Sequence, residues 1–316
     1  MKLQTAVFLL DAKGPFRLDY TVWALRRRGE NIVDRWDGQV YRRVLLVAGE
    51  PVGVAVSQEG TMQFPRLRVE VVGSGRSQIP QGEVAATLDR ILGLGVDLRG
   101  FYKLARRDET LGLLARRFRG LKPPRFPSLF EAVVNAIACQ QLTLSVGIRL
   151  LNRLVEACGI PLRGPQGVAY AFPRPVDLAR LSQERLLELG FSRQKSRYLL
   201  ELAHAVADGR LDVEGLAEGE DQEIIAHLRR IQGIGRWSAE YVLLRGLGRL
   251  HIFPGDDVGA RNNLQRWLGL ENPLDYQGVQ RVLRRWYPYG GFVYFHLLLE
   301  HLASVGMLPN GTGKGR

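Results

Sequence analysis

Two adjacent aspartates, Asp256 and Asp257, are the side chains whose type and position best suit chemistry. They stand in "HIFPGDDVGAR", where Pro254 and Gly255 break the chain just before a predicted helix. One carboxylate of such a pair can cap the helix while the other faces a cleft and stabilises a cation or activates water. A capped helix with a spare surface acid explains the same residues without any reaction. The pair by itself does not decide which carboxylate caps.

A glycine hairpin, Gly233-Ile234-Gly235, comes before the aspartates and joins a helix predicted over residues 221–231 to one predicted over residues 236–247. The glycines permit a tight turn and leave the backbone amides uncovered, while the isoleucine can point inward as a packing anchor. Amides at a helix start bind anions, so the hairpin can hold a nucleic-acid phosphate without reading base sequence. An ordinary tight turn between packed helices is the alternative.

Trp237 and Tyr241 lie four positions apart on the helix after the hairpin, and therefore on one face of it. Their rings can form the wall of a pocket, and an aromatic face attracts a positively charged ring by roughly 0.5 to 2 kcal/mol. Packing in the core explains the same spacing without a ligand.

The charge of the chain favours a polyanionic partner such as nucleic acid. The formal net charge is +12, from 44 Lys and Arg residues against 32 Asp and Glu, and only six of the basic residues are lysines. Arginine offers a planar fork of donors that suits phosphate. Four arginines surround the hairpin and the aspartate loop and are candidate phosphate contacts, or else solvated surface charges: Arg236, Arg245, Arg249 and Arg261.

Several classes of protein are disfavoured by the composition. Two cysteines, Cys139 and Cys158, are too few for a four-cysteine metal site, and the five histidines show no metal-ligand spacing, so no metal is expected. The apolar run near the start ends at Asp11 and Lys13 with no small-residue cleavage site, which predicts a first strand rather than a signal peptide. No uninterrupted apolar segment of the sequence is long enough to span a membrane. We expect a cytoplasmic, nucleoid-associated protein.

The patterning predicts an α+β fold. Residues 41–72 alternate as strands of a small antiparallel sheet with one face buried, and residues 82–119 have helical spacing. Beyond residue 119 there is almost no strand signal. We therefore predict an N-terminal antiparallel sheet domain with a helix over residues 1–95, a helical core in two lobes over 96–306, and a disordered tail over 307–316.

The helical part contains two further signals. Ser128 and Glu131 have the spacing of a capping box at the start of a long apolar segment. Gln140 and Gln141 interrupt that segment, which is therefore a helix pair or a bent helix. Two adjacent glutamines between apolar runs are unusual, although an exposed turn between helices accounts for them.

Taken together, the hairpin "GIGRWSA" and the Pro-x-Asp-Asp loop resemble the HhH-GPD superfamily of DNA glycosylases, above all its AlkA-like 3-methyladenine DNA glycosylase II branch. Three further segments are similar to that branch: "PSLFEAVVNAIACQQLTLSVGIRL", "LGFSRQKSRYLLELAHAVADGRLDVEGL" and "RRWYPYGGFVYFHLL". The resemblance covers residues 15–304 and is specific over 121–300. It implies a TBP-like sheet domain before an all-α core with the DNA cleft between its lobes.

The resemblance assigns roles to the residues of the site. It makes Asp257 the essential carboxylate, which stays ionised, stabilises an oxocarbenium-like sugar and orients or deprotonates water, and it leaves Asp256 as the cap. Trp237 stands where bifunctional members carry a nucleophilic lysine, so a monofunctional enzyme that leaves an abasic site is expected. Trp237 and Tyr241 match the aromatic base pocket. Phe130 and Tyr289 are candidate additions, although the branch often has tryptophan in place of Tyr289.

The resemblance also places the DNA contacts. Such enzymes flip the damaged nucleotide out of the duplex and fill the gap. Gln140, Gln141 and Leu142 occupy the loop that carries the wedge, and either Gln141 or Leu142 can be the wedge residue. The expected partner is double-stranded DNA with damaged bases, bound by a monomer. No cofactor is expected, apart from a monovalent cation that hairpins of this family can hold.

Two alternatives remain open at this stage. One is a relative that acts on deaminated or oxidised bases. The other is a protein without catalysis that binds lesions through the hairpin alone. The aspartate pair disfavours the second alternative, because a carboxylate close to phosphates does not help a protein that only binds DNA.

Overall fold

The computed structural model describes residues 4–73, 79–164 and 167–308. The strands are β1 (Gln4–Asp11), β2 (Arg35–Trp36), β3 (Val40–Val47), β4 (Glu50–Gly60), β5 (Pro65–Gly73), β6 (Ile160–Gly164) and β7 (Gly167–Ala171). The helices of the first half are α1 (Leu18–Arg26), α2 (Gln81–Leu92), α3 (Arg99–Ala105), α4 (Glu109–Arg117), α5 (Leu129–Cys139) and α6 (Leu144–Cys158). Those of the second half are α7 (Pro175–Leu178), α8 (Gln183–Glu188), α9 (Arg193–Ala207), α10 (Asp221–Leu228), α11 (Arg236–Val242), α12 (Val258–Leu268), α13 (Tyr276–Leu283) and α14 (Gly290–Ser304). The α+β prediction is confirmed.

The strands form one sheet in the order β1-β5-β4-β3-β7-β6, and β2 pairs with the other end of β3. All pairs are antiparallel except β3 with β7, which meet in parallel at Val44 and Ala171. Side chains of β5 alternate between buried and outward positions, as the sequence predicts. The buried face packs on α1 and α2 and forms a core of its own.

The prediction of almost no strand after residue 119 is wrong. The hairpin of β6 and β7 extends the N-terminal sheet with residues from the predicted helical domain. Their apolar side chains pack with the sheet through Val44, Leu162 and Ala171. Five-residue strands rich in Gly and Pro carry little alternation, which is why the sequence did not reveal them. The boundary near residue 95 stays a prediction, and the tail prediction lies almost wholly outside the described residues.

The capping box is only half present. The Ser128 hydroxyl accepts from the Glu131 N–H at 3.1 Å, so Ser128 caps α5 as predicted. The Glu131 side chain does not return to the cap. It accepts instead from Arg43 of β3 at 2.6 Å, and Asp34 takes the other side of the same guanidinium at 2.7 Å. This buried ion cluster joins the sheet to the helical core.

The helical part has two cores, and the predicted hairpin belongs to the first of them. One surrounds α5, whose residues 129–138 are all buried. The other surrounds α14 and takes in α3, α4 and α12. α10, the glycine turn and α11 follow one another as predicted, and a single π-helical turn, Leu243–Leu247, extends α11. In the described part of the chain, no helix combines the length and apolar character that crossing a membrane requires.

Candidate active site

Asp257 precedes α12 and uses its two carboxylate oxygens for different contacts. Oδ1 accepts from the backbone N–H of Ala260 at 2.9 Å, which makes Asp257 the N-cap of the helix. Oδ2 accepts from Trp237 Nε1 at 3.3 Å and from the Tyr294 hydroxyl at 3.2 Å. The side chain is half-buried. The cap therefore holds one oxygen and presents the other beside an indole ring.

The prediction that Asp256 caps the helix is wrong, and the catalytic role of Asp257 stays a prediction. Its carboxylate accepts from Arg236 Nε at 2.7 Å, and the same guanidinium lies 3.7 Å from the centre of the Tyr276 ring. The N-cap dihedrals and the bond to Ala260 belong to Asp257. Capping and site geometry are thus combined in one carboxylate, and Asp256 ties the loop to α11.

Two residues of this site were not identified from the sequence. Tyr294 of α14 donates to Asp257, and burial together with that carboxylate raises the pKa of Tyr294 well above its ordinary value, so the hydroxyl stays protonated. Glu240 of α11 accepts from the Gly255 N–H at 3.2 Å and from the Tyr276 hydroxyl at 2.6 Å. Burial raises the pKa of Glu240. No local motif marks either residue, since each meets its partners only through the tertiary fold.

The two predicted pocket aromatics of α11 lie together but differ in exposure. The Trp237 and Tyr241 rings are 5.4 Å apart between centroids and tilted by 33°. Trp237 is partly exposed beside Asp257, whereas Tyr241 is 2% exposed and its hydroxyl accepts from Arg27 Nη1 at 2.8 Å. Of the pair, only Trp237 presents a face that a ligand can reach, and Tyr241 supports it from below.

The two candidate additions to the pocket do not share a contact with this pair. Phe130 is 4% exposed in the core around α5, and its N–H donates to Glu214 at 3.1 Å. Tyr289 packs on Phe101 at 5.5 Å between centroids, in the core around α14. Neither ring stacks on Trp237 or Tyr241 or takes part in a hydrogen bond with Asp257.

Of the two hairpin glycines, only Gly233 is required by a close approach. Gly233 has φ of +87°, and a Cβ there would lie 2.1 Å from the Tyr198 ring, so a side chain at this position would collide. A Cβ on Gly235 would meet nothing within 4 Å, so the space above that residue is open. Ile234 is 5% exposed, which confirms it as a packing anchor.

The loop between α5 and α6 is held to the hairpin. Gln140 Nε2 donates to the Gly233 carbonyl at 2.7 Å and to the Ser238 hydroxyl at 2.8 Å. Lys195 Nζ donates to the Gln140 carbonyl at 2.7 Å. The next residue, Gln141, has φ of +52° and is exposed, as is Leu142 at 41%. Gln140 is thus engaged within the protein, while Gln141 and Leu142 project from a fixed base.

Comparisons with known proteins agree with this arrangement. The family model described as "HhH-GPD superfamily base excision DNA repair protein" matches residues 134–289. The chain belongs to the HhH-GPD superfamily. It is 29% identical over 292 residues to "DNA-3-methyladenine glycosylase 2" of Escherichia coli, which covers 92% of this chain and 96% of that protein. It is also 29% identical over 215 residues to "DNA-3-methyladenine glycosylase" of Bacillus subtilis, covering 68% and 71%.

A solved HhH-GPD structure extends the agreement to the fold. The "3-methyladenine dna-glycosylase from Archaeoglobus fulgidus" superimposes with a TM-score of 0.80 and 26% identity, over 92% of this chain and 97% of that chain. The similarity therefore includes the sheet as well as the helical core.

The predicted phosphate arginines of this HhH-GPD chain fall into different settings. Arg245 is 1% exposed and donates to the carbonyls of Ala24 and Leu25, so its assignment as a phosphate contact is wrong. Arg249 pairs with Asp221 at 3.1 Å. Arg236 is exposed but engaged by Asp256, and Arg261 is partly exposed on α12. The sequence could not separate these cases, because burial of an arginine depends on distant elements.

For this HhH-GPD chain, the expectations of no metal and of no cofactor apart from a monovalent cation stay predictions. Among the described residues, no group of three or more His, Cys, Asp or Glu side chains is placed to hold a metal ion. The monovalent cation at the hairpin is untested. The Gly233 carbonyl, which such an ion would use, already accepts from Gln140.

Proposed function

We propose that this chain is a monofunctional DNA glycosylase that removes alkylated bases of the 3-methyladenine type from duplex DNA and leaves an abasic site. The observation that carries the proposal is the capped Asp257, whose Oδ2 lies beside the partly exposed Trp237 ring. The names of the relatives in Escherichia coli, Bacillus subtilis and Archaeoglobus fulgidus support the choice of substrate.

The residues suggest a division of roles in the reaction. A flipped base stacks on Trp237, and the bond from its nitrogen to C1′ of the sugar breaks, with the electron pair leaving on the base. The Asp257 carboxylate stabilises the positive charge that develops on the sugar and accepts the proton of the water that adds to C1′. Trp237 and Tyr294 keep Oδ2 in position by donating to it. No step depends on a bound metal ion.

Strand cleavage by an amine is not part of this proposal. Trp237 has no nucleophile to form a Schiff base with the sugar. Lys195, which lies under the loop between α5 and α6, donates its ammonium to the Ala138 and Gln140 carbonyls at 2.9 and 2.7 Å. That ammonium is committed to capping α5.

The proposed partner is damaged double-stranded DNA, bound by a monomer. The open space above Gly235 suits a phosphate, and Gln141 or Leu142 suits the gap left by the flipped nucleotide. Every side chain placed in the reaction comes from one chain, so a second copy is not needed to complete the site.

The deciding experiment is release of free base from methylated duplex DNA by the wild type, Asp257→Asn and Asp256→Asn. Asparagine at 257 keeps an oxygen for the cap but removes the charge. We expect base release to fall about 100-fold or more, as when a preorganised transition-state contact is removed. Asp256→Asn, the matched control, retains release within severalfold. Strand breaks appear only after hot alkali.

Two results would contradict the proposal. Breaks without alkali would reveal a lyase nucleophile and would exclude a monofunctional enzyme. No release of methylated bases by the wild type would exclude the proposed substrate class.

A further inference from the structure

Two buried arginines lie behind Tyr241. Arg27, in the left-handed conformation at the end of α1, is 3% exposed and donates to the Tyr241 hydroxyl at 2.8 Å and to Asn135 Oδ1 at 2.7 Å. Arg245 is 1% exposed and donates to the Ala24 and Leu25 carbonyls, at the end of the same helix. The N-terminal helix α1 thus reaches the floor of the candidate base pocket.

Neither of these guanidiniums has an acid partner in contact. Among the described residues, the ion pairs within 4.0 Å include neither of them, and both carry buried N–H groups without an acceptor. Arg43 is the contrast, since Asp34 and Glu131 bind it from two sides. Counted with both acids ionised, that cluster has a formal charge of −1, and Asp257 adds a second negative charge. Arg27 and Arg245 are therefore balanced only at longer range.

The aromatic faces behind the pocket are also already engaged by these cations. The Arg245 guanidinium carbon lies 5.7 Å from the Tyr241 ring centre and 5.3 Å from that of Phe126. Arg27 lies 5.7 Å from the Phe126 ring centre. Such rings have less attraction left for a cationic ligand than a free aromatic wall has. Trp237 alone remains to receive a positively charged base.

We propose that Arg27 and Arg245 are specificity-determining residues whose charges shift the base pocket away from cationic bases and toward neutral ones. The proposal rests on the function proposed above, in which the base stacks on Trp237. A fixed positive charge on the order of 10 Å from the base, at an effective dielectric constant of about 20, still changes an equilibrium or a rate roughly tenfold.

The direction follows from the charge of the leaving base. Both bases take up the same electron pair, so the guanidiniums discriminate through the charge that the base brings from the duplex into the pocket. In the transition state a base that began as a cation still carries part of its positive charge and is disfavoured, whereas a base that began neutral has acquired partial negative charge and is favoured. The effect of Asp257 on the sugar is common to both substrates, so it cancels when their rates are compared as a ratio.

The test uses two duplexes, one with a single 7-methylguanine, a cationic base, and one with a single hypoxanthine, a neutral base. Single-turnover rates are compared at subsaturating enzyme, so that they include entry of the base from the duplex into the pocket. Arg27→Gln retains an N–H for Tyr241 but removes the charge. We expect it to raise the ratio of the cationic to the neutral rate roughly tenfold. Arg27→Lys keeps the charge and is the matched control, with a ratio close to that of the wild type. Arg245→Gln, measured in parallel, should change the ratio in the same direction. Thermal unfolding identifies the variants that fold.

The outcomes separate this inference from the proposed function. If both rates fall by the same factor in folded Arg27→Gln and Arg245→Gln, the arginines are structural and the inference is overturned. If the ratio changes as much in Arg27→Lys as in Arg27→Gln, the inference is also overturned, because loss of the positive charge would not be the cause of the change. The wild type could release hypoxanthine but no 7-methylguanine, either from the defined duplex or from methylated DNA. The proposed substrate class would then fail, while the preference for neutral bases would gain support.

Discussion

At the scale of single residues, the site depends on carboxylates that have been given fixed partners. Asp257 would rotate freely on a surface loop, but the bond from Ala260 N–H to Oδ1 removes that freedom. Two donors then meet Oδ2. The loop that carries Asp257 is fixed in turn by Glu240, whose carboxylate accepts hydrogen bonds from the Gly255 N–H and the Tyr276 hydroxyl. Glu240 therefore positions the loop that carries Asp257.

The role of Glu240 leads to a prediction for base release. Glu240→Ala leaves the Gly255 N–H and the Tyr276 hydroxyl without their acceptor, at a cost of about 1–3 kcal/mol for the buried Gly255 N–H. We expect the single-turnover rate to fall roughly tenfold, with little change in the Kd for DNA. Glu240→Gln, whose amide can both accept and donate, should restore most of the rate. Equal rates in Glu240→Ala and the wild type would show that the loop does not need this support.

At the scale of elements, the hairpin and the loop after α5 behave as one unit. Gln140 bridges them through Gly233 and Ser238, and Lys195 holds the Gln140 backbone from the side of α9. The hairpin residues proposed to bind a phosphate and the loop residues proposed to fill the gap in the duplex therefore have a fixed separation. A loose joint between them would let the flipped nucleotide return.

The joint can be tested through the cost of flipping. Gln140→Ala removes both bonds to the hairpin, and we expect the rate of base release from a lesion in a fully paired duplex to fall about tenfold. The rate from a lesion in a mismatched pair should fall less, because a mismatched base leaves the stack more easily. Arg193→Ala, which changes an exposed side chain at the start of α9, is the control. The same loss on both duplexes would point to chemistry or folding rather than to flipping.

At the scale of the whole molecule, the sheet and the helical core are joined by buried charges rather than by apolar contact alone. Arg43 donates hydrogen bonds to Glu131 of α5, and Arg27 donates one to Asn135 of the same helix. Arg245 donates to the Ala24 carbonyl near the end of α1. Burying such charges costs desolvation free energy, which only well-placed hydrogen-bond or ion-pair partners repay. The N-terminal region is therefore part of the same folded unit as the site.

A buried histidine makes the stability of the molecule depend on pH. His296 is 0% exposed among aromatic rings, and burial lowers the pKa of its imidazole to about 4. Unfolding lets it take a proton at its ordinary pKa of about 6.5. The unfolded state therefore binds more protons between these values, and the free energy of unfolding falls as pH drops from 6.5 to 4, by up to about 3 kcal/mol.

Chemical denaturation at several pH values measures this dependence. His296→Leu removes the titrating group, and its free energy of unfolding should fall less over the same pH range than that of the wild type. His227→Gln, at an exposed position on α10, should keep the wild-type slope. A slope unchanged in His296→Leu would assign the acid sensitivity to other groups.

The sequence determined those features of this protein that depend on neighbours along the chain. Apolar periodicity indicated α2, α10 and the long apolar α5, and alternation indicated β3, β4 and β5 of the sheet. The glycine hairpin, the position of Trp237 in place of a lysine and the aspartate pair were visible as local patterns, and they indicated the family that the comparisons confirm.

Only the tertiary structure decided what depends on residues far apart in sequence. Along the chain Asp256 and Asp257 are equivalent candidates for the cap, but Arg236 of α11 binds Asp256, and Asp257 caps α12. Arg245 looked like any other arginine beside the hairpin, but the end of α1 covers it. Burial and charge pairing are set by packing between distant segments, and no pattern within a short window records them.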